Sequence, residues 1–324
     1  MNNKNNRFYR YRINFISSLK INAGILLAFV CLFVLASVLS SKFLSFDNQM
    51  NVLRTITTNA LCAFGMTFVI LTGGIDLSVG SFMSLAGCLT TVLVAWFQVP
   101  AILAVLLALV AGALFGAMNG FIITKMKMPP FIVTLATMNI IRGISYIITG
   151  GRPVLISDKL FQKIGGGFLG KIPISAVYMM IAFLLMWVLL NRTKFGRHVY
   201  ATGDNLTAAE YSGIDTDRTI FLVYILSGLL SAFAGIVLSS RLNSGQPIIG
   251  QGAELDAIAS CIVGGISVTG GSGTLFGTLI GCMIMGTISN LLNLVGVDSF
   301  VQLVVKGIII IAAVYVDAMR KRKI

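Results

Sequence analysis

Three acidic residues stand directly beside long apolar segments, where an ionised side chain is costly and is usually kept for function or for a buried pair. Asp76 precedes one such segment, and Glu254 and Asp256 open another. These carboxylates could bind a proton or a cation at a gate. They could equally cap helices, because the first turn of a helix favours negative charge. Both interpretations stay open at this point.

Two pairs of polar residues lie inside apolar segments at helical spacing. Asn139 and Arg142 are separated by three positions and Gln302 and Lys306 by four, so each pair shares one helix face. Polar groups at membrane depth face a bundle interior or a water-filled cavity, where they suit a solute rich in hydroxyl groups. We predict that these residues line a translocation path. The alternative is that Arg142 and Lys306 only tie helices together.

Little in the sequence supports catalysis. The chain has one histidine, His198, and five cysteines without CxxC spacing, so neither a metal centre nor a disulfide framework is indicated. We expect the cysteines to be small core residues. Segment 165–171 fits a P-loop pattern on paper, but Ile172 follows its lysine where that loop needs Ser or Thr. We therefore predict that the chain is not an enzyme and binds no cofactor or metal itself.

Composition indicates the elements that must position these residues. Of the 324 residues 56% are hydrophobic and only 11% are charged, and the mean hydropathy is +0.92. Soluble domains carry about 25% charged residues. The sequence therefore predicts an all-α integral membrane protein with one domain over residues 1–324. Its ten predicted spans lie near 22–41, 52–72, 80–98, 101–123, 130–150, 173–191, 219–240, 252–270, 274–295 and 299–317.

The charge distribution predicts the orientation. The net charge is +13, but the basic residues stand at segment ends rather than in one patch with interleaved aromatics, which disfavours nucleic acid as a partner. Lys and Arg are retained on the cytoplasmic side, where anionic lipid attracts them. The tail 1–21 and residues 320–323 are therefore predicted to be cytoplasmic. Segment 151–172 is then external, with a short amphipathic helix, and segment 192–218 is internal.

Two glycine frames suggest an internal repeat. The frame Gly-x-Leu-Phe-Gly begins at Gly112 in the fourth span and at Gly273 in the ninth. An odd number of spans separates them, which predicts two inverted repeats of four helices, spans 2–5 and 7–10. Chance recurrence is the alternative, and a second match between segments 73–78 and 264–269 has a different offset.

Segment 192–218 has the features of a compact surface. Asp204 or Asn205 can cap a short helix, Ala208 and Ala209 keep one face small, and Gly213 can end the helix. Such a surface suits the cleft of a partner protein. An interfacial helix that lies among lipid headgroups is the alternative.

Three separated motifs resemble permease subunits of bacterial ATP-binding-cassette monosaccharide importers, over nearly the whole chain. They lie at 71–81 (LTGGIDLSVGS), at 195–214 (FGRHVYATGDN, then the Ala208 pair and SGI) and at 252–259 (GAELDAIA). The resemblance implies a second permease copy, a cytoplasmic ATPase that uses ATP and Mg, and a periplasmic sugar-binding protein as partners in the bacterial inner membrane. It makes 192–218 a coupling loop. The implied ATPase-coupling residues are Gly196, Arg197, Gly203, Asn205, Ala208, Ala209, Ser212 and Gly213.

A second class of function also fits the residues. In an ion-coupled secondary transporter, Asp76, Glu254 or Asp256 would titrate or bind the coupling ion. Such a transporter would work without any ATPase. A neutral sugar leaves no charge signature along its path, so the residues do not identify the sugar.

Overall fold

The computed structural model describes residues 22–321, and within that range the chain is mostly helical. The short strands pair as β1 with β4 and β2 with β3, both antiparallel. The elements are α1 (Ala23–Leu39), α2 (Phe46–Leu71), α3 (Val79–Ala95), α4 (Ala101–Lys125), α5 (Pro130–Thr149), β1 (Val154–Leu155), α6 (Lys159–Gly166), β2 (Phe168–Leu169), β3 (Ile172–Pro173), α7 (Ile174–Arg192), α8 (Lys194–Asp204), α9 (Leu206–Tyr211), α10 (Thr216–Leu242), β4 (Ser244–Gly245), α11 (Ala253–Val263), α12 (Leu275–Leu294) and α13 (Ser299–Lys321).

The predicted all-α membrane architecture is confirmed at a coarse level. Among residues 22–321, seven helices are long and apolar enough to cross a membrane, namely α2, α4, α5, α7, α10, α12 and α13. The apolar helices α1 and α3 have 17 residues each. The predicted amphipathic helix of segment 151–172 is α6. The tail 1–21 and the last basic residues, Arg322 and Lys323, lie outside the described range.

The predicted span 252–270 is wrong as a continuous helix. The structure has only the 11-residue helix α11 there. The helix ends because Gly264 follows it and Gly265 adopts a φ of +83°, a left-handed conformation that L residues rarely enter. Residues 264–274 then form a glycine-rich loop, which we call the inner loop. Upstream of α11, residues 246–252 form a chain of tight turns with Gly250 and Gly252 at positive φ.

Helix α10 is the central element of the bundle and packs against α2, α3 and α4. Close approach of α10 and α4 depends on small residues, because a side chain at Gly228 would collide with the carbonyl oxygen of Gly112. Four of the five cysteines are buried in the bundle, as predicted, but Cys31 on α1 is exposed. The main cluster of buried apolar side chains is centred on α2 and α10.

The two ends of the bundle carry different structures. At the outer face, which we define by α6 and the four short strands, Arg54 of α2 lies 4.3 Å from the ring centre of Phe168. At the inner face, which we define by α8, α9 and the inner loop, the amide of Gly271 donates to the carbonyl of Leu71 at 3.0 Å. Helix α2 therefore runs from the outer face to the inner face.

The perimeter of the bundle is apolar. Helices α4, α5, α7 and α13 expose large aliphatic and aromatic side chains, for example Leu114 (65%), Ile147 (79%) and Ile311 (72%). Exposed side chains of this type along helices of spanning length suit contact with lipid tails.

Candidate functional site

The inner face carries the predicted coupling residues on two short helices. Thr193 caps α8 by accepting from the amide of Gly196 at 3.2 Å. Asn205 caps α9 by accepting from the amide of Ala208 at 2.9 Å. Gly213 ends α9 with a φ of +79°, a conformation that favours glycine. The cap of α9 and the glycine stop follow the pattern expected from the sequence, with Asn205 rather than Asp204 as the cap; the Thr193 cap was not predicted.

The predicted coupling residues divide into buried anchors and exposed surface residues. Gly196 and Ala209 are buried, and a side chain at Gly196 would collide with the carbonyl of Leu190 at the end of α7. Gly203 lies against the carbonyl of Leu71 with no room for a side chain. The exposed members form the outward surface of the two helices. They are Arg197, Asn205, Ala208, Ser212 and Gly213.

A cluster of charges lies where the end of α4 meets the start of α10, at the same face. Lys127, just after α4, lies 2.8 Å from the carboxylate of Asp217, and Lys125 lies 3.6 Å from it. The hydrogen bond to Asp217 raises the pKa of Lys127 above its ordinary value. Both lysines are largely exposed, so the ion pairs contribute little to stability. They add positive charge beside α8 and α9.

Asp76 lies between α2 and α3 and is completely buried. It accepts hydrogen bonds from the Ser78 amide at 2.9 Å, the Ser78 hydroxyl, and the Ser227 hydroxyl of α10 at 2.7 Å. The N-cap residue of α3 is Ser78, which makes no side-chain cap bond. Asp76 therefore does not cap α3, as the capping interpretation expected. Instead it fastens the segment that connects α2 and α3 to helix α10.

The other two predicted acids have different partners. Glu254, in the first turn of α11, accepts from the amide of Gly252 at 3.2 Å. Asp256, in the same turn, pairs with Lys306 of α13 at 2.9 Å. Each acid is therefore held by a separate set of groups.

The amino-terminal ends of α3 and α11 meet inside the bundle. A side chain at Gly80 would collide with the carbonyl of Gly250 and with the carboxylate of Glu254. Arg142 of α5 closes this junction, because its Nη1 donates to the carbonyls of Pro247 and Ile249 at 2.7 Å each. Arg142 therefore holds the turns that precede α11.

The four predicted path residues are not gathered into one cluster. Asn139 is exposed on α5 and donates to the carbonyl of Leu135 in its own helix. Gln302 of α13 donates to Asn293 at 2.8 Å and to the carbonyl of Val297 at 3.0 Å. Helix α5 packs on α3, whereas α13 packs on α11. The contacts of Arg142 and Lys306 match the alternative in which they tie helices together.

Several residues at these sites were missed by sequence reasoning. Tyr200 of α8 donates to the carbonyl of Gly273 at 2.8 Å, and Asp317 of α13 accepts from the amide of Val268 at 3.3 Å. Ser227 binds Asp76 across 151 positions of sequence. An acidic residue in a mostly apolar helix, such as Asp317, is a signal that could have been used. Nothing in the local sequence indicates the partner.

The described residues offer no clear place for a metal ion. In the range 22–321 no group of three or more His, Cys, Asp and Glu side chains could hold one. The features that remain are the capped inner surface and the polar junction between α3 and α11.

Comparison with known proteins identifies the family. A family model described as "Branched-chain amino acid transport system / permease component" matches residues 48–314. The chain belongs to this permease family. It is 48% identical to a ribose import permease protein of Bacillus subtilis, over 91% of this chain and 92% of the relative.

Further relatives carry related names. A ribose import permease protein of Escherichia coli K12 is 43% identical over 90% of this chain and 92% of its own length. The L-arabinose transport system permease protein of the same strain is 38% identical over 92% and 91% of the two chains. No solved structure matches. The family match and the seven helices of spanning length together show that the chain is a multi-pass membrane permease.

Proposed function

We propose that this chain is the membrane-spanning subunit of an ATP-binding-cassette importer for ribose in the bacterial inner membrane. The observation that carries the proposal is the inner surface of α8 and α9, which is capped at Thr193 and Asn205 and anchored at Gly203. A surface held to the bundle at several points is suited to receive force from a partner. The identity of 48% to a ribose import permease supports the substrate.

The partners follow from the same proposal. A cytoplasmic ATPase docks on the exposed residues of α8 and α9 and uses ATP and Mg, while this chain binds neither. A second copy of the permease completes the pathway, with α5 and α13 facing it, because both helices expose polar residues among apolar ones. Asn139 of α5 is exposed, and Gln302 of α13 is half-buried. The remaining perimeter contacts membrane lipid.

A periplasmic sugar-binding protein docks at the outer face. Segment 151–172 exposes basic side chains beside apolar ones, and its acid, Asp158, is engaged in capping α6 through the amide of Phe161 at 2.7 Å. The segment therefore presents a positive surface to a partner with acidic residues. Its exposed basic and apolar residues are Arg152, Leu155, Lys159, Leu160, Lys163, Phe168, Leu169, Lys171 and Ile172.

The proposal includes ten crossings with both termini in the cytoplasm and an inverted repeat of α2–α5 and α10–α13. Helix α3 packs on α4 and α5 as α11 packs on α12 and α13, and the ends of α3 and α11 meet at Gly80 and Gly250. The glycine frames do not support the repeat. Gly112 lies in the middle of α4, whereas Gly273 precedes α12.

Reconstitution of the permease with its ATPase and binding protein tests this function. With a panel of labelled pentoses and hexoses, we expect ATP-dependent uptake of ribose above all others and no uptake by the permease alone. Ala209→Trp should abolish sugar-stimulated ATP hydrolysis, because this side chain is 4% exposed and anchors α9. Ala209→Ser, a small residue at the same buried position, is the matched control. Preference for arabinose or for a furanosyl signalling compound would support the importer function and contradict ribose as its substrate.

An ion-coupled transporter is the second candidate, favoured by the burial of Asp76. It predicts uptake by the permease alone, driven by a proton or sodium gradient. Uptake of this kind without an ATPase would overturn the proposed function.

A further inference from the structure

The inner loop lies between the coupling helices and the rest of the bundle. On one side, a side chain at Gly203 of α8 would collide with Leu71, and a side chain at Gly271 would lie 2.7 Å from the Cα atom of Asp204. The backbones of α8, of the end of α2 and of the inner loop are therefore in direct contact. Backbone contacts of this kind leave no side chain that could rearrange to absorb a displacement.

Tyr200 provides a specific bond at this contact. Its hydroxyl donates to the carbonyl of Gly273 at 2.8 Å. Burial raises the pKa of Tyr200 to about 12, so the hydroxyl keeps its proton at neutral pH. The amide of Gly271 completes the contact by donating to the carbonyl of Leu71 at 3.0 Å. The inner loop is therefore bonded to both α8 and α2.

On its other side the inner loop is bonded to α13. The carboxylate of Asp317 accepts from the amide of Val268 at 3.3 Å and from the hydroxyl of Ser267 at 3.4 Å. Lys306, farther from the inner end of α13, makes another polar attachment to the bundle through its pair with Asp256. The two attachments are about 16 Å apart along the helix, at about 1.5 Å per residue. A displacement of the inner loop therefore acts on α13 near its inner end.

We propose that α8 transmits movement of the ATPase to α13 through the inner loop, with Tyr200 and Asp317 as positioning residues. This inference rests on the proposed function. It assigns the two residues to the coupling of ATP hydrolysis with transport, not to sugar binding or to ATPase docking. Helix α13 is a suitable recipient because Asp317 bonds it directly to the inner loop near its inner end.

The test measures sugar transported per ATP hydrolysed by the complete importer in proteoliposomes. Tyr200→Phe removes one hydroxyl, and Asp317→Ala removes the acceptor. We expect Tyr200→Phe, which removes one hydrogen bond, to lower the ratio about fivefold, and Asp317→Ala, which removes the acceptor of two, to lower it at least as much. Copurification of the ATPase and basal hydrolysis should stay within about twofold of the wild type. Asp317→Asn keeps an acceptor oxygen and should restore the ratio.

A matched control and clear contrary results complete the design. Tyr315→Phe, on an exposed side chain of α13, should change nothing. An unchanged ratio in both Tyr200→Phe and Asp317→Ala would overturn the inference. Loss of ATPase copurification in these variants would overturn it as well, because it would place the residues in assembly. Failure of the wild-type complex to import any sugar would instead contradict the proposed function.

Discussion

Arg142 and Lys306 are two basic residues inside apolar helices, but the structure satisfies them differently. Arg142 binds two neutral backbone carbonyls, those of Pro247 and Ile249. Lys306 binds one carboxylate, that of Asp256, and both partners remain partly exposed at 25% and 31%. The first residue therefore shapes irregular backbone, whereas the second joins two helices.

The difference reflects the backbone that each residue contacts. The turns at 246–252 cannot satisfy all of their carbonyls, and a buried carbonyl without a donor is costly. The planar guanidinium group of arginine carries several donors at fixed positions and can serve two carbonyls at once. The carbonyls at the start of helix α11 accept from amides of the same helix, so Lys306 meets a side chain instead. Irregular backbone at membrane depth thus requires a donor from a neighbouring helix.

The largest effect is expected from removing Arg142, which donates to the backbone carbonyls of the turns at 246–252. Arg142→Met leaves the carbonyl of Ile249 without this partner, at a cost of about 1–3 kcal/mol. We expect loss of most sugar uptake and a lower temperature of thermal denaturation in detergent. Arg142→Lys should recover part of both because it keeps a cation. Arg152→Met, at an exposed arginine of the outer face, is the control. Normal uptake by Arg142→Met would remove the distinction between the two basic residues.

A smaller effect is expected for the ion pair. Partly exposed pairs contribute about 0.2–1 kcal/mol, so Lys306→Met and Asp256→Asn should each lower uptake a few-fold. In a double-mutant cycle the combined variant should be no worse than the poorer single variant, because both remove the same contact. Uptake measured in parallel at low and high salt should show that the pair matters less at high salt. Additive losses would mean that the two residues act separately.

Asp76 extends the comparison to a buried acid. In the described structure its hydrogen bonds come only from neutral donors. Asp76→Asn keeps an acceptor for the Ser78 amide, so uptake should stay within about twofold of the wild type. Asp76→Leu should fail, because it leaves the amide and hydroxyl donors unpaired. Uptake by both variants is measured across pH. Loss of uptake in Asp76→Asn, together with a matching pH dependence in the wild type, would favour ion coupling.

The sequence was informative where local patterns decide the structure. Apolar length placed most helices within a few residues. The alternatives Asp204 and Asn205, together with Gly213, predicted the ends of α9 to within about one residue. It was misleading at the eighth span, because apolar residues continue beyond Val263 while Gly264 and Gly265 end the helix. The partners of Arg142 could not be predicted, since they are carbonyls more than 100 positions away. Contacts of that kind depend on packing, which no local pattern encodes.

The smallest effect concerns Asn139 and Gln302, whose neighbours Arg142 and Lys306 define the comparison. Neither side chain is needed to satisfy distant backbone, since Asn139 binds its own helix and Gln302 binds the segment just before α13. Cysteine at either position, in a variant without the five native cysteines, should therefore preserve most transport. If the path lies along these helices, both cysteines should react with small water-soluble thiol reagents and should be protected when the transport cycle is arrested. Leu184→Cys, exposed on apolar α7, is the lipid-facing control and should stay unreactive. Labelling at neither position in any nucleotide state would place the path elsewhere and would leave Arg142 and Lys306 as purely structural ties.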